Sequence, residues 1–233
     1  MGNFLKPIKN LAYLEKKSIL FTGMSLFAIL FSYPLTRSTS TSIFLQAFGA
    51  KSSPVVWLFS VLALSVTIWI YSKFQLKLKI HNLFLVTGIF SALFFTGSVN
   101  IYQQGYSIWA YPIFIWKEVY IVLMVHMLFG YLTSSLDLSV AKVLYGPLGA
   151  LGSIGGILGG ISTSYLTTHF STEEILLVGN LPILMSVVFF IGTDKSKTLQ
   201  NMVKGSSETV KKPLASVKKV LPYVLLVALI ISL

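Results

Sequence analysis

A series of apolar runs, each near 20 residues long, recurs along most of this 233-residue chain and limits what it can fold into. A helix needs about 20 apolar residues to cross the hydrocarbon core of a bilayer. Soluble domains carry about 25% charged residues, whereas 11% of the residues are charged here and the mean hydropathy is +0.79. The runs therefore predict an all-α protein that crosses a membrane several times.

Six of the runs predict six transmembrane helices, which together make residues 18–192 the membrane domain. The first begins at Ser18 and is predicted as one long helix, kinked at Pro34, because apolar residues resume at Ile43 beyond the Ser/Thr-rich stretch that follows Arg37. The other five are predicted over Pro54–Ser72, Asn82–Val99, Ser107–Thr133, Val140–Thr168 and Glu174–Gly192.

Three further segments flank this domain: a basic head over residues 1–17, a lysine-rich linker over 193–219, and an apolar run over 220–233. The last run has 14 residues, and a helix of that length reaches about 21 Å, short of the about 30 Å of hydrocarbon. We interpret it as the start of a seventh helix. Six helices, a basic linker and a seventh helix are typical of a protein made of two six-helix halves, so we expect the first half here.

The net charge of +11 is explained by membrane orientation. If the amino terminus is inside, the inner segments hold fifteen of the eighteen basic residues. Cytosolic loops carry such an excess of lysine and arginine, so we predict a cytosolic amino terminus in a bacterial inner membrane. The lipid bilayer is the expected partner of these charges, and nucleic acid is not.

Two adjacent charges, Lys117 and Glu118, interrupt the apolar run of the predicted fourth helix about ten residues from its start. A lone charge at that depth costs about 2.5–3.5 kcal/mol on insertion scales, and intramembrane ionisable residues often mark a pathway or a binding site. Either one charge pairs with a neighbouring helix while the other reaches the membrane surface, or at least one lines a central aqueous cavity.

The other candidate substrate-binding residues lie in the first and sixth helices. Tyr33, Arg37 and Thr41 fall on one face of the first helix at i, i+4 and i+8. Arg37 is the expected counter-charge of Glu118 in the empty cavity. Asn180, in the sixth helix, is predicted as part of a polar, bent wall.

Glycines crowd the predicted fifth helix. Gly152, Gly156 and Gly160, spaced at i, i+4 and i+8, predict one small-residue face for close helix packing and hinge motion. Four more glycines are expected to widen that face: Gly146, Gly149, Gly155 and Gly159. The run resembles a phosphate-binding loop, but no strand precedes it and no Gly-Lys-Ser/Thr follows.

Catalytic and metal-site patterns are missing from the sequence. There is no cysteine, which excludes disulfides and thiolate ligands, and the three histidines fall in separate segments. We therefore predict no enzyme activity, no metal and no cofactor.

A family resemblance rests on three stretches. Trp116, Ser134-Ser135 and the run Ala141-Lys142-Val143-Leu144-Tyr145-Gly146, continued by Gly149-Ala150 and Gly152-Ser153, resemble the fourth and fifth helices of the nucleotide-transporter family. This family comprises the ATP/ADP translocases of intracellular bacteria and plastids, and the stretch is more similar still to their free-living bacterial relatives in the major facilitator superfamily. Pro34-Leu35-Thr36-Arg37 and Pro54-Val55-Val56-Trp57-Leu58-Phe59 resemble that family's first-helix end and second-helix opening.

The resemblance covers roughly residues 18–192 and implies a six-helix amino-terminal bundle of the major facilitator type. It places Arg37 and Glu118 where the exchangers have functional charges. The expected function is one half of a secondary transporter that moves a small organic anion by alternating access, with ATP/ADP or NTP/NDP exchange as the finer expectation. The missing half is then the main partner, supplied by a carboxyl-terminal part or a second copy.

Two alternatives remain open at this point. The chain could be a facilitator for an unrelated solute, or a six-helix membrane protein with an assembly or interaction role and no transport.

Overall fold

The computed structural model describes residues 13–136 and 138–193, so residues 1–12 of the predicted head, almost all of the linker and the seventh helix lie outside the described residues. The described chain is helical throughout, with short turns between the helices. The helices are α1 (Tyr13–Phe48), α2 (Ser53–Gln75), α3 (Ile80–Gln103), α4 (Ala110–Ser135), α5 (Leu138–Leu166), α6 (Thr172–Val178) and α7 (Asn180–Ile191).

Six helical stretches are long and apolar enough to cross a membrane, with α6 and α7 counted as one stretch over Thr172–Ile191. This confirms the prediction of a multi-pass helical membrane protein. The first helix is long, as expected: its 36 residues continue through Pro34 and the Ser/Thr-rich stretch. At 1.5 Å per residue, α1 is about 54 Å long.

The sixth span runs over Thr172–Ile191, close to its prediction over Glu174–Gly192. It begins with a capping box, in which Ser171 Oγ accepts from the Glu174 N–H and Glu174 Oε2 accepts from the Ser171 N–H. Its regular hydrogen bonding is interrupted near Gly179, which keeps helical dihedral angles and separates α6 from α7. The interruption has a local cause, since Pro182 has no N–H to donate to the carbonyl four residues earlier.

Helix α1 is the centre of the bundle, because it packs against α4, α5, α6 and α7. The remaining close pairs are α2 with α4, α3 with α4, and α3 with α7. The set of packed pairs is unchanged when spans 1, 2 and 3 exchange places with spans 4, 5 and 6. The contact of span 1 with span 5, for example, becomes the contact of span 4 with span 2. A chain that crosses a membrane three times ends on the side opposite to its start, so the first three and the last three spans have opposite orientations in the membrane.

Small polar side chains fill the contacts of α1, whereas large apolar ones cover the outside of the molecule. Ser25 Oγ, for example, lies 2.8 Å from Ser186 Oγ of α7. On the outside, Leu62 of α2 and Leu93 of α3 are exposed. This distribution fits a bundle surrounded by lipid, in which buried small and polar residues let helices approach and bond.

Glycines bring α5 against α1, at positions that partly differ from the predicted face. A Cβ added to Gly155 or Gly159 would overlap the backbone carbonyls of Phe27 and Phe31 in α1. Gly152 also faces α1, where an added Cβ would meet the side chains of Leu26 and Leu30. By contrast, an added Cβ would meet nothing within 4 Å at three predicted positions: Gly146, Gly149 and Gly160.

Gly156, the middle member of the predicted stripe, has a single α1 atom at the edge of van der Waals range, the Leu30 carbonyl oxygen at 3.8 Å from an added Cβ. The closest backbone approach is therefore at Gly155 and Gly159, one position before the predicted Gly156 and Gly160.

Candidate functional site

Lys117 is buried inside the bundle, with 2% of its side chain exposed. Its Nζ atom lies 2.6 Å from Glu118 Oε1 and 3.6 Å from the centroid of the Phe114 ring. Adjacent residues project about 100° apart on a helix, so their long side chains must lean toward each other to meet. The buried ammonium group is thus balanced within α4 itself.

Glu118 connects this pair to α1 and to the outside of the bundle. Its Oε2 accepts a hydrogen bond of 3.4 Å from the hydroxyl of Tyr33, and 34% of its side chain is exposed. In α4 it lies four to five residues from the helix centre, which is about 7 Å along the axis. A partly exposed carboxylate therefore stands at the depth of the hydrocarbon core.

Arg37 lies one turn beyond Tyr33 on α1 and is exposed. Its guanidinium carbon is 5.6 Å from the centroid of the Tyr33 ring, whose hydroxyl donates to Glu118. Arg37 forms no salt bridge with any residue that the structure describes. The counter-charge of Glu118 is therefore Lys117 and not Arg37, which keeps its charge free.

Thr41 is on the same side of α1 but serves its own helix. Its Oγ1 donates to the carbonyl oxygen of Arg37 at 2.7 Å. Of the residues predicted for the site, the structure thus brings together Tyr33, Arg37, Lys117 and Glu118. Thr41 lies next to this group and contacts only the backbone of Arg37 in it.

Asn180 is not part of this group. It is buried where α7 meets α3, and its side-chain nitrogen donates to the Ala92 carbonyl at 3.3 Å and to Thr96 Oγ1 at 3.0 Å. Its place in the fold is that of a polar link between two helices, so the predicted role in a substrate-lined wall has no geometric support.

A layer of hydroxyl groups next to the charges was missed by sequence reasoning. The fully buried Tyr120 hydroxyl lies 2.6 Å from Thr36 Oγ1 and 3.3 Å from Ser32 Oγ. Two signals point to it: Ser32 and Thr36 are spaced at i and i+4, and Tyr120 is one turn after Lys117. These bonds fix the register of α1 against α4 at the site.

Ser40 extends this layer toward Lys117. It lies four residues after Thr36, which contacts Tyr120, and four before Phe44, whose ring centroid is 5.0 Å from that of Phe114. Ser40 therefore faces α4 at the level of Lys117, between these two contacts. It is fully buried, and its Oγ has no hydrogen-bond partner among the residues that the structure describes.

The exposed side of α4 continues the site toward the other end of the helix. Glu118, Val122 and His126 follow one another at four-residue spacing, and Val122 and His126 are exposed. The His126 ring also meets the Tyr71 ring of α2 edge-on at 5.8 Å. Ionisable groups thus occupy a face of α4 that neighbouring helices leave open.

A separate apolar crevice of about 480 Å³ lies between α1, α5 and the sixth span. Its walls include Phe31, Ile161, Tyr165 and Pro182, and none of the described residues that line it is charged. An apolar crevice can bind only through contact with another apolar group. We therefore place the candidate site at the charged group formed by Arg37, Lys117 and Glu118.

No group of three or more His, Cys, Asp or Glu side chains that could hold a metal ion occurs among residues 13–136 and 138–193. In comparisons with known proteins, no family model, no curated protein and no solved structure matches this chain. The functional argument therefore rests on the geometry of the charged group.

Proposed function

We propose that the six-span bundle is one half of a secondary transporter that moves a small organic anion by alternating access. In this proposal the substrate enters a water-filled cavity between α1 and α4, where Arg37 and Glu118 are its charged contacts and the buried Lys117 balances Glu118. The cavity is closed by a second six-helix half, supplied by more of the same protein or by another copy.

The observation that carries the proposal is the partial exposure of Glu118 beside the exposed Arg37, both at membrane depth. Hydrocarbon cannot solvate these groups, and intramembrane charges face a water-filled cavity or the interior of an assembly. A purely structural ion pair would have both partners buried, whereas only Lys117 is buried here.

The packing of the spans supports the same proposal. Carriers of the major facilitator type build each half from two three-helix repeats of opposite orientation, with the substrate site near the bilayer midplane at the repeat interface. The close pairs of this bundle are related by exchange of its first and last three spans. Helices α1 and α4 are the first members of the two sets, and the charged group lies between them.

Cysteine labelling tests for the aqueous cavity, and the chain offers a clean background because it has no cysteine. We expect Val122→Cys, one turn from Glu118, to react with a charged methanethiosulfonate reagent in proteoliposomes, since such reagents need a thiolate in water. Leu93→Cys, near the middle of α3 and 67% exposed, is the matched lipid-facing control and should stay unmodified. The same reaction at Val122→Cys should block uptake of labelled organic anions.

An unreactive Val122→Cys would place this face of α4 in lipid and remove the basis of the proposed cavity. Reaction without any effect on uptake would retain the cavity and argue against its use as the transport path.

A further inference from the structure

The net charge of the charged group limits the class of substrate that it can bind. Three charged side chains lie around Tyr33: Glu118, which accepts from its hydroxyl, Lys117, which pairs with Glu118, and Arg37, whose guanidinium carbon is 5.6 Å from its ring centroid. Lys117 and Glu118 neutralise each other at 2.6 Å, while Arg37 forms no salt bridge with any described residue. With these ionisation states the group carries one net positive charge.

We propose that the site takes a monoanion, most favourably a planar monocarboxylate, and disfavours nucleotides and other polyanions. This inference rests on the proposed function and specifies its substrate class. A single added negative charge makes the group neutral, whereas an ATP molecule would leave several negative charges without partners beside Glu118. The low-dielectric walls of a cavity in a membrane strengthen the repulsion among such charges.

Arg37 is the group that contacts the carboxylate. Its planar guanidinium can bind a carboxylate through two parallel hydrogen bonds, and it is exposed on the side where Glu118 is exposed. The ammonium group of Lys117 already donates to Glu118, so a second carboxylate could bind Lys117 only by breaking that hydrogen bond. Among the residues that the structure describes, the site therefore offers one free cation and one carboxylate that repels a second negative charge.

The Tyr33 ring favours a planar body for the substrate. It is half-buried beside the exposed Arg37, whose guanidinium carbon lies 5.6 Å from its centroid. A flat aromatic face of this kind suits stacking with a conjugated ring. The Tyr33 hydroxyl, which bonds Glu118, fixes this ring beside the charged group. The Phe114 ring is buried under the Lys117 ammonium and takes no part in such stacking.

Three ligands of one shape and different charge test the inference: terephthalamide (neutral), 4-carbamoylbenzoate (monoanion) and terephthalate (dianion), with ATP as a polyanion. Binding to the purified full chain is measured by calorimetry at pH 7.5. We expect 4-carbamoylbenzoate to bind at least about tenfold more tightly than terephthalate or terephthalamide, and ATP to bind most weakly.

Variants that change the net charge of the group should change which ligand binds most tightly, in the direction that the new net charge predicts. Arg37→Gln makes the group neutral, so monoanion affinity should fall about tenfold or more while the neutral ligand is unaffected. Glu118→Gln raises the net charge to two and should shift the preference toward terephthalate. Because Glu118→Gln leaves a buried ammonium unpaired and could prevent folding, the double variant Lys117→Met with Glu118→Gln is made as well; it keeps one net charge and should keep the monoanion preference.

Lys51→Gln is the matched control, since Lys51 is an exposed cation in the turn before α2 and should leave all four affinities unchanged. Tighter binding of terephthalate or ATP by the unaltered chain would overturn the monoanion inference and leave the carrier proposal standing. Failure of all four ligands to bind, together with a reactive Val122→Cys, would overturn the inference in the same way. An unreactive Val122→Cys would instead remove the proposed function.

Discussion

At the scale of single residues, the buried hydroxyls of Ser40 and Ser98 pose the same energetic problem in two places. Both side chains are buried, and neither oxygen has a hydrogen-bond partner within residues 13–136 and 138–193. A buried polar group left without a partner costs about 1–3 kcal/mol. Ser40 differs from Ser98 in its position, because it faces α4 at the level of Lys117, whereas Ser98 belongs to α3.

Alanine variants of these two serines should separate stability from binding. Ser40→Ala and Ser98→Ala should each raise the free energy of unfolding by about 1 kcal/mol, since each removes an unpaired hydroxyl. Only Ser40→Ala should weaken binding of 4-carbamoylbenzoate, by several-fold, if the hydroxyl is used when the site is filled. Denaturant unfolding in micelles and calorimetry give the two readouts, and equal effects on binding would contradict a role for Ser40 in the site.

At the scale of helices, the contact between α1 and α5 is set by two glycines that permit backbone to meet backbone. Gly155 and Gly159 face the carbonyls of Phe27 and Phe31, and the absence of a side chain is what allows this approach. In a bilayer, where helices gain little from hydrophobic burial against one another, such close packing is a main source of association.

Neighbouring glycines of α5 give a matched test of this contact. Gly159→Ala should lower the free energy of unfolding by about 1–3 kcal/mol, because the added methyl group forces α5 away from α1. Gly160→Ala meets nothing within 4 Å and should be neutral or raise stability by up to about 1 kcal/mol through helix propensity. Unfolding of both variants in lipid-detergent micelles checks the prediction, and similar losses for the two would mean that α5 uses another face.

At the scale of the whole molecule, charge placement and span number together predict which ends of the helices lie in the cytosol. The short segment that joins α2 to α3 carries Lys77 and Lys79, while the turn before α2 carries only Lys51. The excess of basic residues on one side predicts that side as cytosolic.

Single cysteines placed at these lysines test the orientation. In intact cells, Lys51→Cys should react with a membrane-impermeant maleimide, whereas Lys77→Cys should react only after the membrane is opened. The reverse labelling pattern would mean that the bundle has the opposite orientation in the membrane. Reagents would then reach Val122 from the opposite side.

The spans could be predicted from the sequence because their length is a requirement of the bilayer. The second helix, for example, was expected over Pro54–Ser72 and is found over Ser53–Gln75. The sixth helix was likewise expected over Glu174–Gly192 and is found over Thr172–Ile191. The interruption near Gly179 was not predicted, because a single missing hydrogen bond at Pro182 changes neither the apolar character nor the length of the span.

The partners within the site could not be predicted in the same way. In a membrane both the lipid-facing and the buried positions of a helix are apolar, so periodicity does not select the buried face; Gly155 and Gly156 look alike in the sequence. For the same reason nothing in the sequence distinguishes Lys117, which is buried, from Glu118, which is half-exposed. The difference depends on Phe114 and Tyr33, and one of these belongs to a distant part of the chain.

The central position of α1 has a consequence for the time at which the molecule can assemble. All helices that pack closely on α1 follow residue 109, and the last of them ends at Ile191. At a synthesis rate of about 5–20 residues per second, roughly 7–29 s pass between the completion of α1 and that of α7. Tyr120, the partner of Ser32 and Thr36, is made about midway through this interval, whereas Ser25 has no inter-helix hydrogen-bond partner until Ser186 is made. Of the described helices, α1 is thus made first and completes its packing only when the last one is in place.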